Sequence, residues 1–156
     1  MSRARCHELF RAWENDPALY ADRSLFRPYR YSAEAVDRYY DAKQDGTRVL
    51  FAITVDGKTV GELQLKNIDP AAKECTMSIH LQNDSVKGRG YGTAAEKLAL
   101  AYAFEVMGLN AVNADTVIGN TRSRHVLLKA GFRFVREDGT FRYYRAEKDS
   151  ACTKNE

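Results

Sequence analysis

Apolar positions along this chain follow two alternating periods, and the switches between them mark the elements. After Glu8 a helical spacing places Leu9, Phe10 and Trp13 together, and Asn15-Asp16-Pro17 ends the run. A second helix is predicted from Ser32, a good N-cap side chain, with Val36, Tyr39 and Tyr40 on its buried side and Asp45-Gly46 as its stop. The aromatic, basic connection over 26–31 reads equally as a packed loop or as a substrate wall. The period then becomes two. Residues 49–55 and 59–65 alternate about Asp56-Gly57, a hairpin signal; 67–70 predicts a turn, and 75–81 the next strand.

Over 93–107 the helical period returns, apolar on most sides through Leu98, Leu100, Tyr102, Phe104, Val106 and Met107, so this helix is expected to be largely buried, with Gly108 as its cap. Residues 110–118 alternate again as a strand. The span 75–118 therefore predicts strand–helix–strand, two parallel strands joined by a right-handed crossover. Asn120 caps a helix ending at Lys129 and stopped by Gly131, a last hairpin over 132–137 and 140–147 turns at Asp138-Gly139, and 149–156 reads as a frayed tail. The expected fold class is α+β (mixed α/β). Its central sheet is mostly antiparallel with one parallel unit and helices on both faces, in a single domain over 1–148.

Composition narrows the function classes. A chain of 156 residues, 44% hydrophobic and 29% charged, suits one globular domain. No apolar stretch approaches a bilayer span, so no membrane partner is expected. The basic start, 1–5, runs into Cys6-His7-Glu8 and not into an apolar core, so no secretory signal is expected and the cytoplasm is the default compartment. Cys6, Cys75 and Cys152 are odd in number and far apart, which suggests reduced thiols. Neither they nor His7, His80 and His125 show metal-ligand spacing, so no metal is expected. A net charge of +3, dispersed along the chain, argues against a nucleic-acid partner.

The most informative segment is Val86-Lys87-Gly88-Arg89-Gly90-Tyr91-Gly92-Thr93, between a strand and a helix. Three alternate glycines let the backbone turn tightly and bring amides close to a ligand. The free amides of the helix's first turn point to the same place, which makes an anion site, most often for phosphate. Lys87 and Arg89 add positive charge. Gly90-x-Gly92-x-x-Ala95, with Asp115 downstream, also meets a relaxed dinucleotide fingerprint, but antiparallel hairpins on both sides leave no room for that fold.

With its pattern on Lys87, Gly90 and Gly92, the loop resembles the pyrophosphate loop of the GCN5-related N-acetyltransferases. A second block, Asn120-Thr121-Arg122-Ser123-Arg124-His125-Val126-Leu127-Leu128-Lys129-Ala130-Gly131-Phe132, is similar to one in the subgroup that includes the ribosomal-protein N-terminal acetyltransferases. The resemblance implies acetyl-CoA as co-substrate, with a protein N-terminus, polyamine or small amine as acceptor, and a homodimer as a compatible assembly. It implies a pantetheine edge at Ile79-His80-Leu81, with an N–H near Leu81 polarising the thioester. The pyrophosphate falls to Lys87, Gly88, Arg89, Gly90, Tyr91, Gly92 and Thr93, and Asn120 and Ser123 contact the arm.

The Tyr that many relatives place near the thiol falls on Leu127, so it is absent, and Ser123 matches the subgroup's alternative; a serine there equally supports the Asn120 cap. Candidates for the base are Glu62, Glu74 and His80, although Glu62 on an alternating strand could face solvent and His80 could simply pack on the sheet. Lys129 reads as a cofactor contact or a helix C-terminal charge. Relatives usually carry a strand before the first helix, which this pattern lacks. A different class of reading is a catalytically weak CoA-binding sensor or assembly module.

Overall fold

Asp56 and Gly57 both adopt left-handed backbone, with φ of 49° and 77°, and this type of turn joins β1 (Val49–Val55) to β2 (Lys58–Asp69). In the computed structural model, which describes residues 1–148, that hairpin starts a six-stranded mixed sheet of order β1-β2-β3-β4-β6-β5. β3 (Glu74–Leu81) pairs antiparallel with β2, and β4 (Ala111–Val117) runs parallel to β3. β6 (Phe141–Glu147) inserts between β4 and β5 (Arg133–Glu137), antiparallel to both. One parallel pair in an otherwise antiparallel sheet matches the expected architecture and rules out the doubly wound alternative. Asp115, its ribose candidate, is an exposed residue of β4 paired to Tyr143. The tail reading over 149–156, and Cys152 with it, lies outside the described residues.

The sheet is covered on both faces. Leu63 and Leu65 of β2, Cys75 and Met77 of β3, and Val112 and Ala114 of β4 meet α3 (Tyr91–Ala101) and α4 (Thr121–Ala130) through Ala99, Leu100, Leu127 and Ala130. Each buried leucine of this layer contributes about 2 kcal/mol. On the opposite face α1 (Arg3–Arg11) and α2 (Ala33–Ala42) enclose a smaller cluster, Cys6, Phe10 and Val36, flanked by Trp13, Tyr29, Tyr39 and Tyr40. Successive strand residues point to opposite faces, so Glu62 and Gln64 turn toward α2 while Leu63 and Leu65 turn toward α3.

Four expectations need correction. α1 begins at Arg3, where Ser2 accepts from the Arg5 amide at 3.3 Å, so the basic start is helical; its charge is used by Arg3, which binds Asp37 and Asp41 of α2. The segment 67–70 is not a free turn. β2 continues to Asp69 across a register shift between Lys66 and Asp69, with Asn67 at φ 51° absorbing the extra residues. α3 starts two residues earlier than its apolar pattern, and its end widens into a π turn over Tyr102–Val106. Nor is this helix apolar-buried all round: Leu98 is 74% and Val106 68% exposed, while Glu96 is buried. A helix on a sheet presents one stripe to it, and the inner stripe here runs through Glu96, Ala99, Ala103 and Leu100.

Candidate functional site

β3 and β4 pair only at Glu74↔Ala111, Cys75↔Val112 and Thr76↔Asn113, and then diverge. The Gln82 amide donates to Val60 O at 2.8 Å, so even-numbered amides of β3 face β2. By the alternation of an antiparallel ladder, the amides of Ile79 and Leu81 therefore face the opening beside β4. An extended ligand arm entering this gap finds a strand edge to bind.

The glycine loop lies at the mouth of the gap. Gly88 and Gly90 have φ of 73° and 83°, a left-handed backbone that glycine adopts without strain. Gly90 starts α3 without any side-chain cap, and the first bond into the helix runs from Ala94 N to Gly90 O at 3.0 Å. The amides of Tyr91, Gly92 and Thr93 precede that bond and are the orphan donors of the helix N-terminus, with its dipole behind them. Gly92 differs from the other two. It has an ordinary helical φ, and an added Cβ would lie 3.5 Å from Val126, in normal contact. Its backbone therefore does not require glycine.

The two loop cations also differ. Lys87 is held by Asp16 at 2.5 Å and Asp84 at 3.1 Å, so its charge is largely compensated within the protein. Arg122 joins the same acids, 3.0 Å from Asp84 and 3.9 Å from Asp16. This strap ties the segment after α1 to the glycine loop and to α4. Arg89 is exposed and makes no ion pair among the described residues.

A cleft of about 100 Å³ collects much of the predicted set: Ile79, His80, Leu81, Lys87, Gly92, Asn120 and Ser123. A larger apolar groove of about 430 Å³ lies between β1 and α3, but of the predicted residues it holds only Tyr91 and no charged side chain lines it. Chemistry, not size, selects the smaller cleft. Asn120 is buried and its Oδ1 accepts from the Ser123 amide at 3.0 Å, closing the start of α4. The cap thus uses the amide of Ser123; the hydroxyl makes no hydrogen bond among the described residues and lines the cleft.

On the α2 side of β2 and β3 stands a buried polar group. Glu62 is 3% exposed, not solvated, because α2 covers that face of the strand as well. Its Oε1 accepts from Tyr39 Oη at 2.6 Å and Gln64 Nε2 at 3.1 Å, and lies 3.9 Å from His80 Nδ1. Its Oε2 is buried without a partner among the described residues. Burial holds the His80 imidazole below its ordinary value, against the opposing pull of Glu62, and Trp13 lies beside the ring at 6.1 Å between centroids. A neutral imidazole next to a carboxylate can accept a proton.

Glu74 does not join them. It sits at the far end of β3 from Leu81, roughly 20 Å along the strand, and its carboxylate accepts from Arg145 at 2.8 Å. Lys129 is exposed in the last turn of α4, outside the cleft. Thr93 is in the first turn of α3 but does not line the cleft.

Trp13, Asp16 and Glu96 line the cleft although none of them is a site residue predicted from the sequence. Trp13 and Asp16 arrive through tertiary contact alone. Glu96 left a signal: a charged residue spaced three and four from Ala99 and Leu100, on what is otherwise an apolar face. Among the described residues no three His, Cys, Asp or Glu side chains come together as a metal site. No helix among them is long and apolar enough to cross a membrane.

Comparison with known proteins identifies the family and the fold. The chain is 28% identical over 105 residues to spermidine N(1)-acetyltransferase of Escherichia coli strain K12, a match covering 67% of this chain and 56% of the relative. It thus spans little more than half the length of that relative. Its fold superposes with a TM-score of 0.78 on spermidine N-acetyltransferase from Vibrio cholerae in complex with CoA and spermine, at 14% identity over 97% of this chain and 94% of that one. Campylobacter jejuni N-acetyltransferase PseH in complex with acetyl coenzyme A gives a TM-score of 0.64 at 22% identity, covering 74% of this chain and 79% of that one. The acetyltransferase (GNAT) domain model matches residues 3–133, and the chain belongs to the GNAT acetyltransferase family.

Proposed function

We propose that this chain transfers the acetyl group of acetyl-CoA to a primary amine. The observation that carries the reading is the divergence of β3 from β4 beyond Thr76↔Asn113, with the uncapped α3 N-terminus at its mouth. In this reading the pyrophosphate lies against the loop amides from Gly88 to Thr93, with Arg89 as its cation. The pantetheine arm runs along Ile79–Leu81 as an added strand.

Transfer needs a neutral amine and a stabilised oxyanion. The Glu62–His80 pair takes the amine's proton, directly or through a water, as the nitrogen attacks the thioester carbon. The Leu81 amide supports the negative charge that develops on the carbonyl oxygen. As the C–S bond breaks, the Ser123 hydroxyl donates to the departing thiolate, where Leu127 offers no hydroxyl. Leu127 is instead a core residue.

On the acceptor side Glu14 lines the cleft and Glu62 lies beside it, whereas Asp16 is taken up by Lys87 and Arg122; the two remaining carboxylates suit a cationic amine. The relatives named for spermidine support a polyamine as the first acceptor to test, ahead of protein N-termini and small amines. Isothermal titration with acetyl-CoA and with NADH, followed by thiol release against an amine panel, tests the reading. Binding of acetyl-CoA with turnover on at least one amine supports it. Binding without turnover on any amine favours a CoA-binding module, and binding of NADH alone overturns both.

A further inference from the structure

Glu96 stands on the inner face of α3, one turn beyond Gly92, with 0% exposure, and lines the same cleft as Ile79, Ser123 and Val126. Both of its carboxyl oxygens are buried without a hydrogen-bond partner among the described residues. Packing gives no reason for a carboxyl here. The inner stripe around it is Ala99, Leu100, Ala103 and Phe104, and β2 faces α3 with Leu63 and Leu65. An acid kept in such surroundings costs its full desolvation unless something in the cleft satisfies it.

We propose that Glu96 binds the acyl donor: as a neutral carboxylic acid at the floor of the cleft, it donates its O–H to a carbonyl oxygen of the pantetheine arm and holds that arm in register with the Leu81 amide. The inference rests on the acetyl-CoA reading above and names a residue role within it. The other charged and titratable groups lining the cleft are Glu14 and Asp16 after α1, His80 on β3, Lys87 in the glycine loop and Arg122 on α4. Lys87 and Arg122 are engaged by Asp16 and Asp84, and none of the five bonds to Glu96. Burial alone pushes the Glu96 carboxyl up to about 8. The group is therefore a donor at neutral pH. Above that value it becomes a carboxylate that cannot donate and that repels a ligand carrying phosphates.

The test is titration of acetyl-CoA into the whole chain between about pH 6.5 and 9, for the wild type, Glu96→Gln and Glu96→Leu, with thermal midpoints on the same samples. The wild-type Kd should stay level to about pH 7.5 and then rise by about tenfold per pH unit above the titration. Glu96→Gln keeps an N–H donor that does not titrate, so its Kd should stay within about threefold of the wild type and be flat with pH. Glu96→Leu should weaken binding about tenfold or more although its midpoint is unchanged or higher. A Glu96→Leu variant that binds as tightly as the wild type, or a wild-type Kd that is flat through pH 9, overturns the inference and leaves the transfer reading standing. A wild type that binds no acetyl-CoA at any pH overturns both.

Discussion

The Glu62 carboxylate and the His80 imidazole face each other across the β2–β3 ladder, Oε1 to Nδ1 at 3.9 Å, with Tyr39 and Gln64 fixing the carboxylate from the α2 side. Burial lowers the affinity of His80 for a proton and Glu62 raises it, and burial is the larger effect. His80 is thus free to accept a proton at neutral pH. The rising limb of kcat/KM should therefore lie below pH 6.5, the ordinary imidazole value, with a plateau by pH 7. Glu62→Gln removes the opposing pull, which moves the limb to still lower pH and should reduce kcat by about 10²-fold. Steady-state rates from about pH 5 to 8 on both proteins check this; an unchanged kcat in Glu62→Gln removes the pair from the mechanism.

Ser123 separates cap from chemistry more cleanly than its sequence position allows, because the cap bond to Asn120 is made by its amide. Ser123→Ala should keep the thermal midpoint and lower kcat by about 10²-fold, with a smaller effect on KM for acetyl-CoA. Asn120→Ala should do the converse, costing about 1 kcal/mol of stability. A Ser123→Ala rate within about twofold of wild type, ~0.4 kcal/mol of barrier, would remove Ser123 from the leaving-group role.

In the glycine loop the expected outcome depends on position. Gly90 at φ 83° has no strain-free replacement, so Gly90→Val should weaken acetyl-CoA binding by about tenfold or more while the fold persists. Gly92→Ala places its Cβ in ordinary contact with Val126 and should be folded and milder, acting only through the approach of the ligand. Calorimetric Kd values for the two variants rank them; equal affinity for Gly90→Val and wild type removes the phosphate-loop assignment.

Glu96 also makes a stability prediction that needs no ligand. Its folded-state value is raised from 4.5 to about 8 by burial, so the native state holds a proton that the unfolded chain has released. Its contribution to stability is then fully present below pH 4.5 and is lost progressively as pH rises toward 8. The stability of wild type relative to Glu96→Leu should therefore fall by about 2–3 kcal/mol between pH 5 and pH 7, a change that Glu96→Leu itself does not show. Denaturant midpoints at the two pH values decide it; a difference that does not change with pH shows that Glu96 does not titrate in this window.

Local chemistry determined the elements of this protein and much of its loop. Ser32 and Asn120 cap the helices that their side chains predicted, Asp56-Gly57 makes its hairpin, and the glycine loop begins a helix with free amides. Each of these depends on contacts within a few residues, which is why sequence spacing is enough. What faces what was decided elsewhere. A period of two assigns Glu62 and Leu63 to opposite sides of β2 but does not say that helices cover both sides, so only packing made Glu62 a buried group beside His80. An apolar α3 offers several stripes to a sheet, and the one that docked exposes Leu98 and encloses Glu96. The charge of Lys87 was legible, but its neutralisation by Asp16, 71 residues away in the chain, was not. The gap between β3 and β4 exists only because two strands that start together separate after three pairings, a property of the assembled sheet and of no single residue.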